Sequence, residues 1–455
     1  MFEKNGESEL LLSVLSEISK LERNQIYYME KAERFLGAHK LRAIDVNMDN
    51  LVESFTSEML KGLNGEKSSL RMIPTYIEAE NEFLKETPVV AIDAGGTNFR
   101  AALVKFTSRG KLEIVQVVSG LMPGLDREVS KKEFFEVMSG HIRQMAEKAE
   151  RIGFCFSYPT EIFPDKDGRL LQFCKEVQAP EVIGQIIGKS LLEALGTPEK
   201  KIVLLNDTVA TLLAGKSASF TKTYDSYIGY ILGTGTNTCY IEANGNILKN
   251  PELGKDKSMI INVESGNFGK APRTDLDISF DNSTMNPGDY TFEKMFSGGY
   301  FGGVCLYVLK TAATEGLFTA RASVDLNKIV ELSAEEANSF VANISSKENA
   351  LTKCLTGEED KKISSYIIDN LINRTARLVA ANLAAVVLKT GKGTSPGRPV
   401  LITVEGTTFY KLHNLKTRFE KYFSEFLSGE RKRYVEFTQV EQSSLIGAAL
   451  AGLID

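Results

Sequence analysis

The chain has 455 residues, 43% of them hydrophobic and 25% charged, enough to bury a large core and to divide it between lobes. Its 54 basic and 59 acidic side chains leave a net charge of -5 and are mixed along the whole length, which excludes a basic face collecting nucleic-acid phosphates. Five scattered cysteines with no CxxC pair exclude a disulfide framework and a zinc knuckle, and three dispersed histidines exclude a His-based metal site or relay.

At the N-terminus, acids precede a short apolar run with no small-residue cleavage site, and no later stretch approaches membrane-spanning length. The expectation is a protein of the reducing cytoplasm, without targeting segment, nucleic-acid partner or membrane partner. Residues 8–85 carry apolar groups at helical spacing and read as a helical arm ending in the breaker-containing stretch LRMIPTYI. From Pro88 the texture turns to β-rich runs, VVAIDA, FRAALVKF and KLEIVQVV. The helical KEFFEVMSGHIRQMAEKAER, the strand RIGFCFSYP and then KIVLLND leading into TVATLLAGK follow. Strands alternating with helices predict an α/β fold with a partly parallel sheet.

The texture then begins again. SYIGYILGTGTNTCYIEANGNIL, residues 226–248, puts a glycine turn between two apolar strands and adds a second hairpin signal at Asn244-Gly245. It repeats the design of residues 89–112 and implies a second, similar lobe. Residues 361–390 are helical with an Ala-rich middle; the loop GKGTSPGRP, the strand VLITVEG and the short apolar helix SSLIGAALAGLI complete the chain.

The turn DAGGTN, within Asp93 to Asn98, joins two strands with glycines that hold no Cβ against an approaching anion, next to small hydroxyl and amide groups. One such turn reads equally well as a glycine-rich hairpin with nothing bound. The second, Gly233-Thr234-Gly235, makes a pair able to hold a polyphosphate from two sides. No GxxxxGK[ST] occurs, and the strand resumes directly after the first turn, so neither a P-loop nor a dinucleotide fingerprint is present. Asp207 follows Asn206 at the end of an apolar strand and opens a helix, where the local pattern favours an N-cap.

In order, DAGGTNFR, FSYP, LLNDTVAT, LGTGTN, NVESGNFG, NPGDYTFEKMFSGGYFGG and VEGTTFYK resemble the hexokinase family of the actin-like ATPase superfamily, from about Leu70 to the C-terminus. The resemblance implies a bilobal actin-like ATPase (ribonuclease H-like) α/β fold with a central cleft. Its small lobe would be residues 87–207 plus the C-terminal helix 441–455, and its large lobe residues 208–440 with the arm 1–86. It implies ATP-dependent phosphorylation of a hexose at the 6-hydroxyl, the opening step of glycolysis. Glucose is the expected hexose, with fructose and mannose as further candidates; the partners are hexose and ATP, in a monomer or homodimer. A kinase for another sugar or amino sugar, or a non-catalytic sugar sensor, are the alternatives.

By the same resemblance Asp207 is the catalytic base that accepts the proton of the attacking hydroxyl. The sugar contacts are Ser157, Cys174, Lys175, Asn206, Asp207, Asn237, Glu264 and Glu293, suited to a ring of hydroxyls that each donate and accept. Asp93 lies by Mg²⁺ and holds it through water, as this slowly dehydrating ion permits. Gly95, Gly96, Thr97, Asn98, Arg100, Gly233, Thr234, Gly235, Gly406, Thr407 and Lys411 meet the nucleotide. Two departures stand out. The sugar motif reads QFCKEV, with Cys174 and Glu176 flanking Lys175 where family members usually carry Thr and Gly, and Thr408 is additional in VEGTTFYK.

Overall fold

The computed structural model describes residues 29–78, 81–173, 177–218 and 222–454. Its strands are β1 (Ile73–Pro74), β2 (Val89–Gly95), β3 (Asn98–Phe106), β4 (Leu112–Leu121), β5 (Arg151–Phe156), β6 (Thr160–Ile162) and β7 (Gly168–Leu170), followed by β8 (Lys201–Leu205), β9 (Ser226–Leu232), β10 (Thr236–Ala243), β11 (Ser258–Asn262), β12 (Val400–Glu405) and β13 (Val435–Thr438). The helices that frame the sheets are α1 (Lys131–Ala146), α2 (Ile187–Leu195), α3 (Asp207–Ala218), α4 (Glu358–Thr390) and α5 (Ser443–Leu453).

Five strands form one sheet in the order β4-β3-β2-β5-β8, and six form another in the order β1-β11-β10-β9-β12-β13. In each, an antiparallel meander of three strands (β2-β3-β4; β9-β10-β11) is extended by two parallel strands (β5, β8; β12, β13). The repeat read from the sequence is therefore a repeat of topology. The run Val89–Ala94 is buried at every residue, as a central strand covered on both faces requires.

On one face of the five-stranded sheet, Phe134, Phe135, Met138 and Ile142 of α1 and Ile187 and Leu191 of α2 pack over Val90, Ile92, Ile152 and Phe154. Ser130 caps α1 by accepting the Glu133 amide, a Ser-x-x-Glu start. On the other face, Val89, Ala91 and Cys155 meet Val209 and Leu213 of α3 and Leu445, Ala448 and Leu450 of α5. The small residues of α5 set this approach: a Cβ on Gly447 would lie 2.0 Å from the Ala210 carbonyl oxygen, and one on Gly153 would strike the Ala448 carbonyl.

The chain divides into two compact units: the first comprises the chain up to Leu51, Ala271–Ala381 and Thr407–Ser424, the second Val52–Lys270, Asn382–Gly406 and Glu425–Asp455. Both sheets lie in the second unit, which differs from the expected boundary at 207/208. The reason is α3, which packs on β9 and β12 of one sheet and on α5 over the other, and so holds the two together. The first unit is helical, pinned by Arg374, bidentate to Asp277 at 2.8 and 2.9 Å, and by Lys294, 2.6 Å from Asp281.

Two local expectations change. The arm is not helical throughout: Ile73–Pro74 pairs as an edge strand with β11. Asn244-Gly245 does not turn a hairpin but forms a 3-10 turn, Asn244–Asn246. The chain returns only at Ser258, through a loop closed at its neck where the Asn244 amide donates to the Lys257 carbonyl. Among the described residues, α4 is the one helix long and apolar enough to cross a membrane by length and composition, and most of that apolar stretch is buried within the protein.

Candidate active site

Parallel strands bring their carboxyl ends to the same edge of a sheet, and both sheets use this edge. Asp93 on β2 lies in register with Cys155 on β5, which lies in register with Leu205 on β8. Ser157 therefore leaves the sheet beside Asp93, and Asn206 and Asp207 leave it on the next strand. Asp207 is the first residue of α3, and the Thr208 amide donates to its Oδ1 and to Asn206 Oδ1, each at 2.8 Å.

The first glycine turn is tighter than an ordinary loop: Gly95 pairs with Asn98, so only Gly96 and Thr97 make the turn. Gly96 has φ +68°, and a Cβ there would meet nothing within 4 Å, so its face opens on free space. Thr97, Asn98 and Arg100 are exposed, whereas Asp93 is buried and paired across the strands with Arg100.

Two further carboxylates, Glu264 and Asp93, act electrostatically on Asp207 here. Desolvation first, and then the negative charges of Glu264 and Asp93, together push the Asp207 carboxyl up to about 6 against the opposing Thr208 amide bond. Burial also raises Asp93, with Arg100 opposing. Burial raises Glu264, with the Asn262 amide and the positive charge of Arg71 opposing.

In the second sheet, Glu405 at the end of β12 is in register with Ile231 near the end of β9. The turn Gly233 to Gly235 and Gly406 consequently abut. Gly406 has φ +108°, and a Cβ on it would lie 2.2 Å from the Leu232 carbonyl oxygen and 2.6 Å from the Gly233 nitrogen, so only glycine fits. Thr234 is exposed at the tip of this turn. Asn237, just inside β10, donates to Asn262 Oδ1 at 2.8 Å, and Asn262 donates to Glu264 Oε1 at 2.8 Å. Asn237 Oδ1 accepts the Thr238 amide at 2.7 Å and the Ser265 amide at 3.3 Å. Glu264 has a left-handed backbone, φ 60° and ψ 48°, which turns the chain out of β11.

The second unit thus carries Asp93, Gly95, Gly96, Thr97, Asn98, Arg100, Ser157, Asn206, Asp207, Gly233, Thr234, Gly235, Asn237, Glu264 and Gly406. Glu293, Thr407 and Lys411 belong to the first. There Glu293 opens a 3-10 turn, Glu293–Met295, and its carbonyl accepts the Ser297 amide; Thr407–Lys411 forms a helical turn with Thr407 and Lys411 exposed. Cys174 and Lys175 lie outside the described residues.

Three residues of the site are missing from the sequence reading. Asn262 is signalled only as a polar interruption of the apolar run MIINV. Arg71 sits on the stretch stitched to β11 where the Met72 amide donates to the Val263 carbonyl. Tyr158 donates from its hydroxyl to the Gly96 carbonyl at 2.9 Å, and no sequence pattern announces that contact.

Two hexokinase family models match the chain, one over residues 36–217 and one over residues 227–454. Hexokinase-7 of Oryza sativa subsp. japonica is 28% identical over 435 residues, spanning 89% of this chain and 92% of its own length. Hexokinase-1 of Schizosaccharomyces pombe is 28% identical, spanning 90% of this chain and 87% of its own. Human Hexokinase-3 is 31% identical over 92% of this chain and 47% of its own length. Among solved structures, a hexokinase crystal structure superposes with a TM-score of 0.77 at 25% identity, covering 93% of this chain and 98% of that one. A hexokinase from Schistosoma mansoni complexed with glucose gives 0.75 at 23% identity, covering 93% and 99%. With an α/β fold shared along nearly its whole length and family models that together span both sheets, the chain belongs to the hexokinase family and has the actin-like ATPase fold of those enzymes.

Proposed function

We propose that this chain transfers the γ-phosphoryl group of ATP to the 6-hydroxyl of a hexose, with glucose as its principal acceptor, at the shared edge of its two sheets. The observation that carries the reading is Asp207, whose carboxyl is pushed up to about 6. That places it where a carboxylate is ionised at neutral pH yet basic enough to take a hydroxyl proton as that oxygen attacks. Phosphoryl transfer otherwise asks for positioning and charge stabilisation. Asn206, Asn237, Glu264 and Ser157, with Cys174 and Lys175, hold the sugar hydroxyls. The turns at Gly95-Gly96 and Gly233 to Gly235, with Gly406, receive the nucleotide.

Mg²⁺ fits Asp93 as a partner held through water. Asp93 is a buried carboxylate at the phosphate turn, and among the described residues no group of three His, Cys, Asp or Glu side chains forms a cage of its own. Such a donor set suits an ion that brings phosphate oxygens and water with it and would neutralise phosphate charge there. The buried thiols of Cys155, Cys239, Cys305 and Cys354, none in a disulfide, support a reducing compartment.

The test is ADP release over a panel of hexoses with Mg²⁺, with the phosphorylated carbon identified in the product. Glucose 6-phosphate is the expected product, and a panel without turnover overturns the reading. The Asn237–Asn262–Glu264 chain gives a second expectation. Asn262→Ala should raise the KM for hexose about tenfold, the worth of losing roughly one net hydrogen bond to a charged group, and leave the KM for ATP within about twofold. Initial-rate kinetics in both substrates measure the split; equal rises in both constants remove Asn262 from the sugar site.

A further inference from the structure

We infer that the hydroxyl of Tyr158 is a positioning group that couples the hexose side of the site to the nucleotide side. The inference rests on the reading above, in which Ser157 contacts sugar and the Gly95-Gly96 turn receives phosphate. The loop after β5 touches three consecutive residues, Ala94, Gly95 and Gly96, that lead from β2 into that turn. The Ser157 amide donates to the Ala94 carbonyl at 3.2 Å. Ser157 Oγ lies 2.9 Å from where a Cβ on Gly95 would stand. Tyr158 then donates to the Gly96 carbonyl at 2.9 Å.

The Tyr158 ring is only 4% exposed and is fixed by aromatic neighbours, with Phe156 at 4.9 Å and Phe173 at 5.1 Å between ring centroids. Phe173 directly precedes Cys174 and Lys175 of the sugar motif. One rigid side chain therefore links Phe173 and the loop after β5, which carries Ser157, to the backbone of the phosphate turn. Gly96 itself has few restraints, with φ +68° and open space on its free face. The hydroxyl contact to its carbonyl thus fixes which way the peptide between Gly96 and Thr97 faces, and with it the amide presented to phosphate.

Such a link makes binding on one side alter binding on the other, and the effect must be equal in both directions. Hexose seated on Ser157 holds the loop and the turn in one arrangement, so the nucleotide meets an ordered cradle; nucleotide on the turn orders Ser157 in the same way. Tyr158 touches neither reacting atoms nor substrate in this account. It acts through the Gly96 carbonyl.

The experiment uses the full chain and the variant Tyr158→Phe, which keeps the packed ring and removes only the hydroxyl. Initial rates over a grid of glucose and MgATP concentrations give the KM for ATP at low and saturating glucose, and the KM for glucose at low and saturating ATP. The wild type is expected to show each substrate lowering the other's constant. In Tyr158→Phe both ratios fall together by about two- to tenfold, the range of one net hydrogen bond. The ratios do not depend on the fraction of folded enzyme, so loss of material cannot imitate the result. Thr160→Val is the control. Its hydroxyl, at the start of β6, donates to the Tyr158 carbonyl at 2.9 Å, and its removal should leave the ratios unchanged.

Unchanged ratios in Tyr158→Phe, ratios that move in only one direction, or a wild type without any mutual effect would each overturn the inference while leaving the kinase reading intact. Absence of ADP release with every hexose of the panel would instead sink that reading.

Discussion

Asp207→Asn should lower turnover by about two to four powers of ten and, at neutral pH, raise the melting temperature. The two effects share one cause. Desolvation, with Glu264 and Asp93 adding to it, pushes the Asp207 carboxyl up to about 6 from its ordinary 3.8. Below the ordinary value the group is protonated whether the chain is folded or not, and it takes nothing from stability. As pH rises through the ordinary value towards about 6 the unfolded chain ionises first, so folding must hold a proton or an unfavourable charge, and the loss is complete above about 6. Asparagine removes that charge and keeps an Oδ1 for the Thr208 amide.

The stabilisation should therefore be present at pH 7 to 8 and absent near pH 3 by calorimetry. The wild-type kcat/KM should fall on the acid side with a midpoint near 6, the value to which Asp207 is pushed up. Glu264→Gln, which removes one of the charges raising it, should shift that limb to lower pH. Near-normal turnover in a folded Asp207→Asn protein would remove it from the base role; a fall in both activity and melting temperature would assign it to structure alone.

Gly96→Val should raise the KM for ATP by about two powers of ten, the scale of losing pre-set donors to developing charge, with the hexose constant within about threefold. A branched side chain is strained at φ +68°, and the space it would enter, open within 4 Å of the Cβ position, is where phosphate must approach the backbone. The neighbouring glycine behaves differently. A Cβ on Gly95 would stand 2.9 Å from Ser157 Oγ, so Gly95→Ala displaces the proposed sugar serine and should weaken hexose use instead. Adjacent glycines with opposite kinetic signatures would be hard to obtain from general damage to the fold. If Gly96→Val lost hexose affinity and handled ATP normally, the turn would be misassigned.

What the sequence makes legible follows from how local each feature is. The strands β2 and β9 are readable because continuous apolar runs end at glycines, and their repetition announces a duplicated topology that the two sheets share. Asp207, at a strand-to-helix junction, is visible as a cap, and only its place beside Asp93 and Glu264 makes it more than that. Asn244-Gly245 misleads because the dipeptide states a turn but not where the next strand resumes, and here it resumes at Ser258. The boundary between compact units is not written at 207/208, since α3 belongs by packing to both sheets. Asn262 and Tyr158 escape the sequence reading for another reason: each acts through a partner distant in the chain or across a strand, Asn237 for one and the Gly96 carbonyl for the other.

The burial of α5 against β2, β5 and α3 bears on how the protein is made. The strands it covers end at Leu205, and the helix begins at Ser443. At ordinary ribosomal rates the two are separated by tens of seconds of translation, during which Val89, Ala91, Cys155 and Val203 have no α5 to shield them. The first sheet can form its hydrogen bonds early but cannot close its second face until α5 has emerged. This half of the enzyme should therefore be the last to become protease-resistant on the ribosome, the earliest to engage chaperones, and intolerant of a nonsense codon placed before Ser443.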